Sequence, residues 1–261
     1  MQSTRTSLAI TLSVWNALFL RESTVRLFSA RAAWFWLLFE PIFHVSYLVF
    51  IFAIIRVRTI GGIDTTTWLI VGMLAFFMFR RTGNQVMNGV GPNRALFAYR
   101  QVKPVDTVLV RAGLEGFLMI IVTATICAGT ALFEHAIVPA QPLAVLEAFF
   151  GLWLVGLGFG LVTSVAVELV PEVGRLLGFI MRPMFLLSGV IFPISAVPQP
   201  YRDWLMLNPV AHGLEAARLG FSSYYHAVPE LSVAYIYGFA LVTIFLGLAL
   251  HRHFAVRLAT L

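Results

Sequence analysis

Apolar residues gather into six long runs separated by short polar stretches. The runs are Trp34–Ile55, Ile60–Phe79, Thr107–Phe133, Leu143–Val170, Leu176–Phe192 and Leu231–Leu250. A helix that crosses a bilayer needs about 20 apolar residues, so each run predicts a span. Ahead of them, residues 7 to 29 carry Leu8, Leu12, Trp15, Leu18 and Phe19 at three- and four-residue steps. Arg21, Glu22, Arg26 and Arg31 follow. That pattern predicts an amphipathic helix lying in the membrane interface, within an N-terminal cytoplasmic segment 1–33.

One stretch fits neither a span nor a solvated loop. After Phe192, the prolines Pro193, Pro198 and Pro200 stop any continuous helix, yet Trp204, Leu205, Met206 and Leu207 are too apolar for water. Irregular backbone at membrane depth must be covered by protein or line a wet cavity. The expectation is a re-entrant helical hairpin over about 193–226, inside a transmembrane domain 34–261. The fold class is therefore all-α and integral to a membrane.

Composition agrees. Of 261 residues, 59% are hydrophobic and 11% charged, with mean hydropathy +0.87; soluble proteins carry about 25% charged residues. Thr11, Ser13 and Asn16 interrupt the first apolar stretch, so no cleaved signal peptide is expected. The net charge of +6 reads as topology rather than nucleic-acid binding, because no block of like charges occurs. With the N-terminus inside, twelve of the 18 basic residues fall on the cytoplasmic side and four outside, Arg56, Arg58, Arg202 and Arg218. Arg111 and Arg182 lie within spans. Both termini are thus expected in the cytoplasm. Cys127 is the single cysteine, and no Cys/His ligand spacing occurs, so no metal site is expected. Lys103, the only lysine, precedes Pro104, so no G-x-x-x-x-G-K-[ST] phosphate loop exists and the chain cannot hold ATP that way.

Several constellations could carry function. Between the second and third runs, Gly91-Pro92 breaks one helix, Asn93 can cap a short new one and Pro104 can end it. This segment, about 92–103, shows Leu96, Phe97, Tyr99, Arg94 and Arg100, which suit docking to a partner or anchoring on the membrane surface. Trp36, Phe39, Phe43, Tyr47 and Phe50 share one face of the first span. Such a stripe can carry sugar rings along it, or serve only packing and lipid contact. Arg80, Arg81 and Arg182 lie at depth, where an arginine costs about 2.5–3.5 kcal/mol on insertion scales and needs a partner, water or a route to the headgroups. Arg111 and Glu115, four apart, are placed to pair within one helix. Glu172 and Arg175 sit in a short polar turn, a second candidate docking point. Glu40 and His44 lie in the inner half of the first span, His44 as a packing residue, and His251 and His253 read as an interfacial stop.

Four stretches resemble one family: LRESTVR…W…LLFEP at 20–41, NRALFAYRQVKPVDT at 93–107, LSGVIFPISAVP at 187–198 and LNPVAHGLEAARLGF at 207–221. Together they are similar to the ABC-2-type permeases of bacterial polysaccharide export, in particular capsule exporters. The resemblance implies a homodimer in the bacterial inner membrane, with two ATP-binding cassette subunits that hold ATP and Mg in place of this chain. It implies no catalytic residue here. It implies a coupling role for Asn93, Arg94, Phe97, Tyr99, Arg100, Glu172 and Arg175. Lipid-linked polysaccharide would pass a path beside the first and fifth spans, with Trp36, Phe39, Phe43, Tyr47, Phe50, Arg80, Arg81, Arg182 and Phe185 as candidates to line it. Periplasmic or outer-membrane export components would follow. Exporters of another glycan (O-antigen or teichoic acid type), of a lipid or of a drug share the same hairpin and coupling segment.

Overall fold

A computed structural model describes residues 7–28, 31–55, 59–132 and 137–260. Arg5, Arg56 and Arg58 of the charge count, and Phe133 at the expected end of the third span, lie outside the described residues. Helix α1 covers Ser7–Phe28 and α2 Ala33–Ile55. A two-stranded hairpin follows, β1 Thr59–Ile60 and β2 Ile63–Asp64, with Ile60 opposite Ile63. Its turn is Gly61-Gly62 at φ 60° and 90°; a tight two-residue turn needs positive φ at both positions, and only glycine adopts it without strain.

Helix α3 spans Thr65–Met87. The Asp64 carboxylate caps it, accepting from the backbone N–H of Thr66 at 2.9 Å and of Thr67 at 3.1 Å. The second apolar run was expected to be helical from Ile60 to Phe79. The helix instead starts later and continues eight residues past Phe79, through Arg80 and Arg81. A 3₁₀ helix occupies Gly91–Ala98 and α4 Pro104–Leu132. Pro104 therefore opens α4 rather than closing the preceding segment, as suits a residue that lacks an N–H at the first helical position.

Helix α5 is Pro142–Leu169 and α6 Glu172–Leu187. A short 3₁₀ turn (Ile194–Ala196), α7 (Tyr201–Leu205) and α8 (Pro209–Phe221) make up the expected hairpin region, where the Gln199–Pro200 peptide is cis. Asn208 caps α8, accepting from Val210 N–H at 3.0 Å. Helices α9 (Val233–His253) and α10 (Ala255–Thr260) end the chain.

Helices α3 and α5 form the centre. From Trp68 to Phe79 every residue of α3 is buried. α5 packs against α3, α8 and α9. Glycines allow this closeness: a Cβ on Gly156 would lie 2.7 Å from the Phe79 carbonyl, and one on Gly158 would collide with Thr243 of α9. Small residues at helix contacts let backbones approach and gain dispersion energy where lipid offers no hydrophobic drive. Helices α2, α4, α5 and α9 are long and apolar enough to cross a bilayer. α3 has the length (23 residues) but a polar inner end. α6, with 16 residues, stops at Leu187 rather than Phe192, because Ser188 and Gly189 (φ 72°) turn the chain out of the helix.

Candidate substrate path and coupling surface

The aromatic residues of α2 form a continuous ladder. Phe39 stacks on Phe43 with centroids 5.6 Å apart, and Phe43 on Tyr47 at 6.4 Å. Trp36 meets Phe39 edge-on at 5.4 Å. Phe35, absent from the sequence reading, stacks on Phe39 at 5.2 Å. Trp36, Phe39, Phe43, Tyr47 and Phe50 are between 38% and 64% exposed, so the ladder faces away from this subunit's core. Phe50 belongs to the outer end and lines a separate apolar groove between α2 and α4, with Val49 and Ile126.

Beside the ladder, α2, α3 and α6 line an open cavity of about 350 Å³, formed by His44, Arg80, Asn84, Met181, Arg182 and Phe185, with Arg182 itself exposed. Phe185 packs edge-on against Phe76 at 5.2 Å, fixing that wall. A smaller recess of about 150 Å³ adjoins it through Arg80 and Asn84 and is lined also by Glu40, Arg81 and Gln85. Three residues singled out separately in the sequence, Arg80, Arg182 and Phe185, are thus brought together.

Arg81, next in the chain, belongs to a different system. Its Nε donates to Glu115 at 2.7 Å, and Arg26 of α1 reaches the other carboxylate oxygen at 2.5 Å. Glu115 is fully buried. Arg111, one turn earlier on α4, pairs with Glu22 at 2.7 Å and donates to the Asn88 carbonyl. The expected Arg111–Glu115 pair within α4 does not form. Glu22 and Arg26 on α1 present the complementary four-residue step, and each α4 charge takes its opposite from there. Trp15 adds a bond to Asp106 at 2.9 Å.

The segment expected to couple lies below this network. Asn93 does not cap it; its side chain is buried, donating to the Gly89 carbonyl at 2.9 Å and accepting from Arg21 at 2.7 Å. Phe97 turns inward against a cluster that includes Val90, Val108 and Leu161. Tyr99 and Arg100 point outward, Tyr99 at 66% exposure. Arg94 pairs with Glu168 at the end of α5, at 2.5 Å. Only Val170 and Pro171 separate α5 from α6, so Glu172 and Arg175 sit exposed on the first turn of a helix rather than in a loop.

A family model described as "ABC-2 type transporter" matches residues 13–222. The chain belongs to the ABC-2 type transporter family. It is 31% identical over 237 residues to the polysialic acid transport protein KpsM of Escherichia coli, covering 91% of this chain and 92% of that protein. It is 29% identical over 223 residues to the capsule polysaccharide export inner-membrane protein CtrC of Neisseria meningitidis, covering 82% and 81%. It is 24% identical over 249 residues to the capsule polysaccharide export inner-membrane protein BexB of Haemophilus influenzae, covering 95% and 94%. As an ABC-2 membrane subunit it is a non-catalytic transport component of the inner membrane.

The buried setting of Arg218 escaped the sequence reading. Arg218, counted there among outer basic residues, is fully buried in α8. Its guanidinium lies 3.7 Å from the Trp68 ring centroid and donates to the Gly189 carbonyl at 2.9 Å and to that of Val190 at 3.2 Å. Glu215 pairs with it at 3.3 Å and accepts from the Tyr225 hydroxyl at 2.7 Å. Burial, then the Glu215 charge, pushes the Tyr225 pKa well above its ordinary value. His226 N–H donates to the Gly61 carbonyl, so the same lock holds the hairpin between α2 and α3. The available signal was compositional: Ala211, Gly213, Ala216, Ala217 and Gly220 suit a helix buried on all sides, which would bury Arg218 with it. His251 was likewise read as an interfacial stop; it is buried, 2.9 Å from Ser164 of α5.

Proposed function

We propose that this chain is the membrane half of an ATP-driven exporter of lipid-linked capsular polysaccharide. Two copies assemble with two ATPase subunits, which bind ATP and Mg. Each copy crosses the inner membrane six times, α3 and α6 completing the set, with both termini cytoplasmic and the α7–α8 hairpin entering from the outside.

The observation that carries the reading is the exposed ladder Trp36–Phe39–Phe43–Tyr47 on α2. Stacked rings offer many weak, equivalent faces to sugar rings, so a polymer can advance without meeting a deep trap. Similarity over most of the chain to proteins named for capsule polysaccharide export supports the same cargo. ATPase closure reaches the path through exposed Tyr99 and Arg100, and through α1 by way of Glu115 and Arg81. Phe97 and Asn93 serve as the internal anchors of that surface. Arg94, paired with Glu168, ties it to α5.

The test is genetic and chemical together. Deleting the chain removes surface capsule and leaves lipid-linked polymer inside the cell. Phe39→Ala/Phe43→Ala/Tyr47→Ala reproduces that phenotype with normal protein level. Normal surface capsule in the deletion strain would refute the function, and normal capsule in the triple variant would refute the path.

A further inference from the structure

The segment that carries Tyr99 and Arg100 cannot hold its own shape. It is a 3₁₀ helix of eight residues, Gly91–Ala98, and no side chain caps its start. The hydrogen bonds of a 3₁₀ helix are poorer than those of an α-helix, so runs beyond about three or four residues need support from outside. Three supports come from the body of the molecule. Arg21 of α1 holds Asn93, Glu168 of α5 holds Arg94, and an apolar cluster receives Phe97.

The last helix supplies a fourth. α10 lies against the 3₁₀ segment and against α4. Of its six residues only Leu258 is buried, at 1% exposure; the other five are exposed. A helix this short is not stable alone, so one apolar side chain seats it. Its position is also fixed from behind. His251, near the end of α9, is buried and 2.9 Å from Ser164 of α5. Only Phe254 separates α9 from α10. Backbone hydrogen bonds run through it, from Phe254 N–H to the Leu250 carbonyl and from Leu258 N–H to the Phe254 carbonyl. Leu258 is thus carried on the frame of α5 and α9, the frame that also holds Glu168.

We infer that Leu258 is a positioning residue for the coupling segment: by seating α10 it holds the 3₁₀ helix in the shape that presents Tyr99 and Arg100 to the ATPase. This rests on the ATPase reading of that surface. Because the rest of α10 is exposed, the helix can lift off while the spans stay packed, so losing Leu258 loosens the segment without unfolding the protein. A partner's apparent affinity then falls with the population of the shape it recognises.

The experiment uses the full-length chain in neutral detergent and the ATPase subunit that purifies with it. In Leu258→Ala the thermal midpoint of the membrane subunit holds, while ATPase affinity falls about tenfold, the loss expected if the docking shape drops to about a tenth of the population. Leu258→Met, which keeps the apolar volume, restores the affinity. Val256→Ala, at an exposed neighbour, changes nothing. With Tyr99→Ala added, the combined loss is smaller than the product of the two separate losses, because both act on one contact. A spin label on Tyr99→Cys, in a Cys127→Ser background that leaves no other thiol, becomes more mobile in Leu258→Ala; this reading needs no ATPase. Should Leu258→Ala fail to accumulate, Leu258→Val gives the same readings at a smaller step. Unchanged label mobility, equal ATPase affinity, or losses that multiply in full overturn the inference while the ATPase reading stands. An unaltered chain with which no ATPase purifies refutes that reading, and the inference with it.

Discussion

Two regions of the inner half of the molecule hold arginines a single residue apart and treat them in opposite ways. Around Glu115, guanidiniums from α1 and α3 meet a fully buried carboxylate, while Arg111 meets Glu22 alongside. Around Arg182, a guanidinium from α3 and one from α6 line one cavity and form no ion pair among the described residues. The first arrangement is finished without a ligand and acts as architecture, joining α1 to α3 and α4. The second holds two cations with no ion-pair partner among the described residues. The same residue type at the same depth thus says nothing about role until its partners are known.

The contrast can be broken by removing the hub of the balanced region. Glu115→Gln leaves Arg26 and Arg81 without compensation in a buried setting and costs about 3–5 kcal/mol. Thermal unfolding followed by size-exclusion chromatography in detergent should show a large fall in midpoint. An unchanged midpoint would mean that the network is not structural. The outer lock extends the comparison, because it too is internally satisfied. In Gly72→Ala the new Cβ would collide with the Arg218 guanidinium. That group is fully buried and bonded on several sides, so it cannot move aside. The expected cost is about 1–3 kcal/mol, read in the same assay.

Smaller effects sharpen the distinction. Arg94→Ala removes a pair whose arginine side chain is 47% exposed, and exposed pairs contribute about 0–1 kcal/mol. Its midpoint should barely move. Arg182→Gln should leave the midpoint of the ligand-free protein unchanged or slightly raised, since it removes a charge that nothing in the fold compensates. A fall as large as that of Glu115→Gln would erase the difference between the two regions.

The sequence made the long apolar helices readable. α2, α4, α5 and α9 lie within a few residues of the runs that predicted them, because lipid demands an unbroken apolar stretch and hydropathy measures that directly. α3 and α6 were read less well, for definite reasons. α3 continues past Phe79 because Arg81 is neutralised by a carboxylate 34 positions later and Gly83 fits against Phe159 of α5. Neither fact is local. α6 ends at Leu187, where Ser188 and Gly189 turn the chain so that the carbonyls of Gly189 and Val190 meet Arg218 of α8, 29 and 28 residues away. The pairing at Arg111 and Glu115 was misassigned for a related reason. Four-residue spacing shows which charges can meet on one helix but not whether another helix competes. The steps Glu22–Arg26 and Arg111–Glu115, opposite in sign order, were the available hint. In the candidate site, the stripe on α2 was legible from period alone. The grouping of His44, Asn84, Arg80 and Arg182 was not, since it is made by three helices distant in sequence.

The central claim is that the ladder face of α2, rather than any exposed aromatic face, meets the polymer. A photo-reactive phenylalanine analogue placed at Phe43 and, separately, at Phe245 of α9 tests it directly, because both positions are exposed, at 58% and 76%. In cells that are synthesising and exporting polysaccharide, irradiation should attach glycan to the protein carrying the analogue at Phe43 and leave the Phe245 protein with lipid adducts alone. Glycan attached at Phe245, with none at Phe43, would contradict the account.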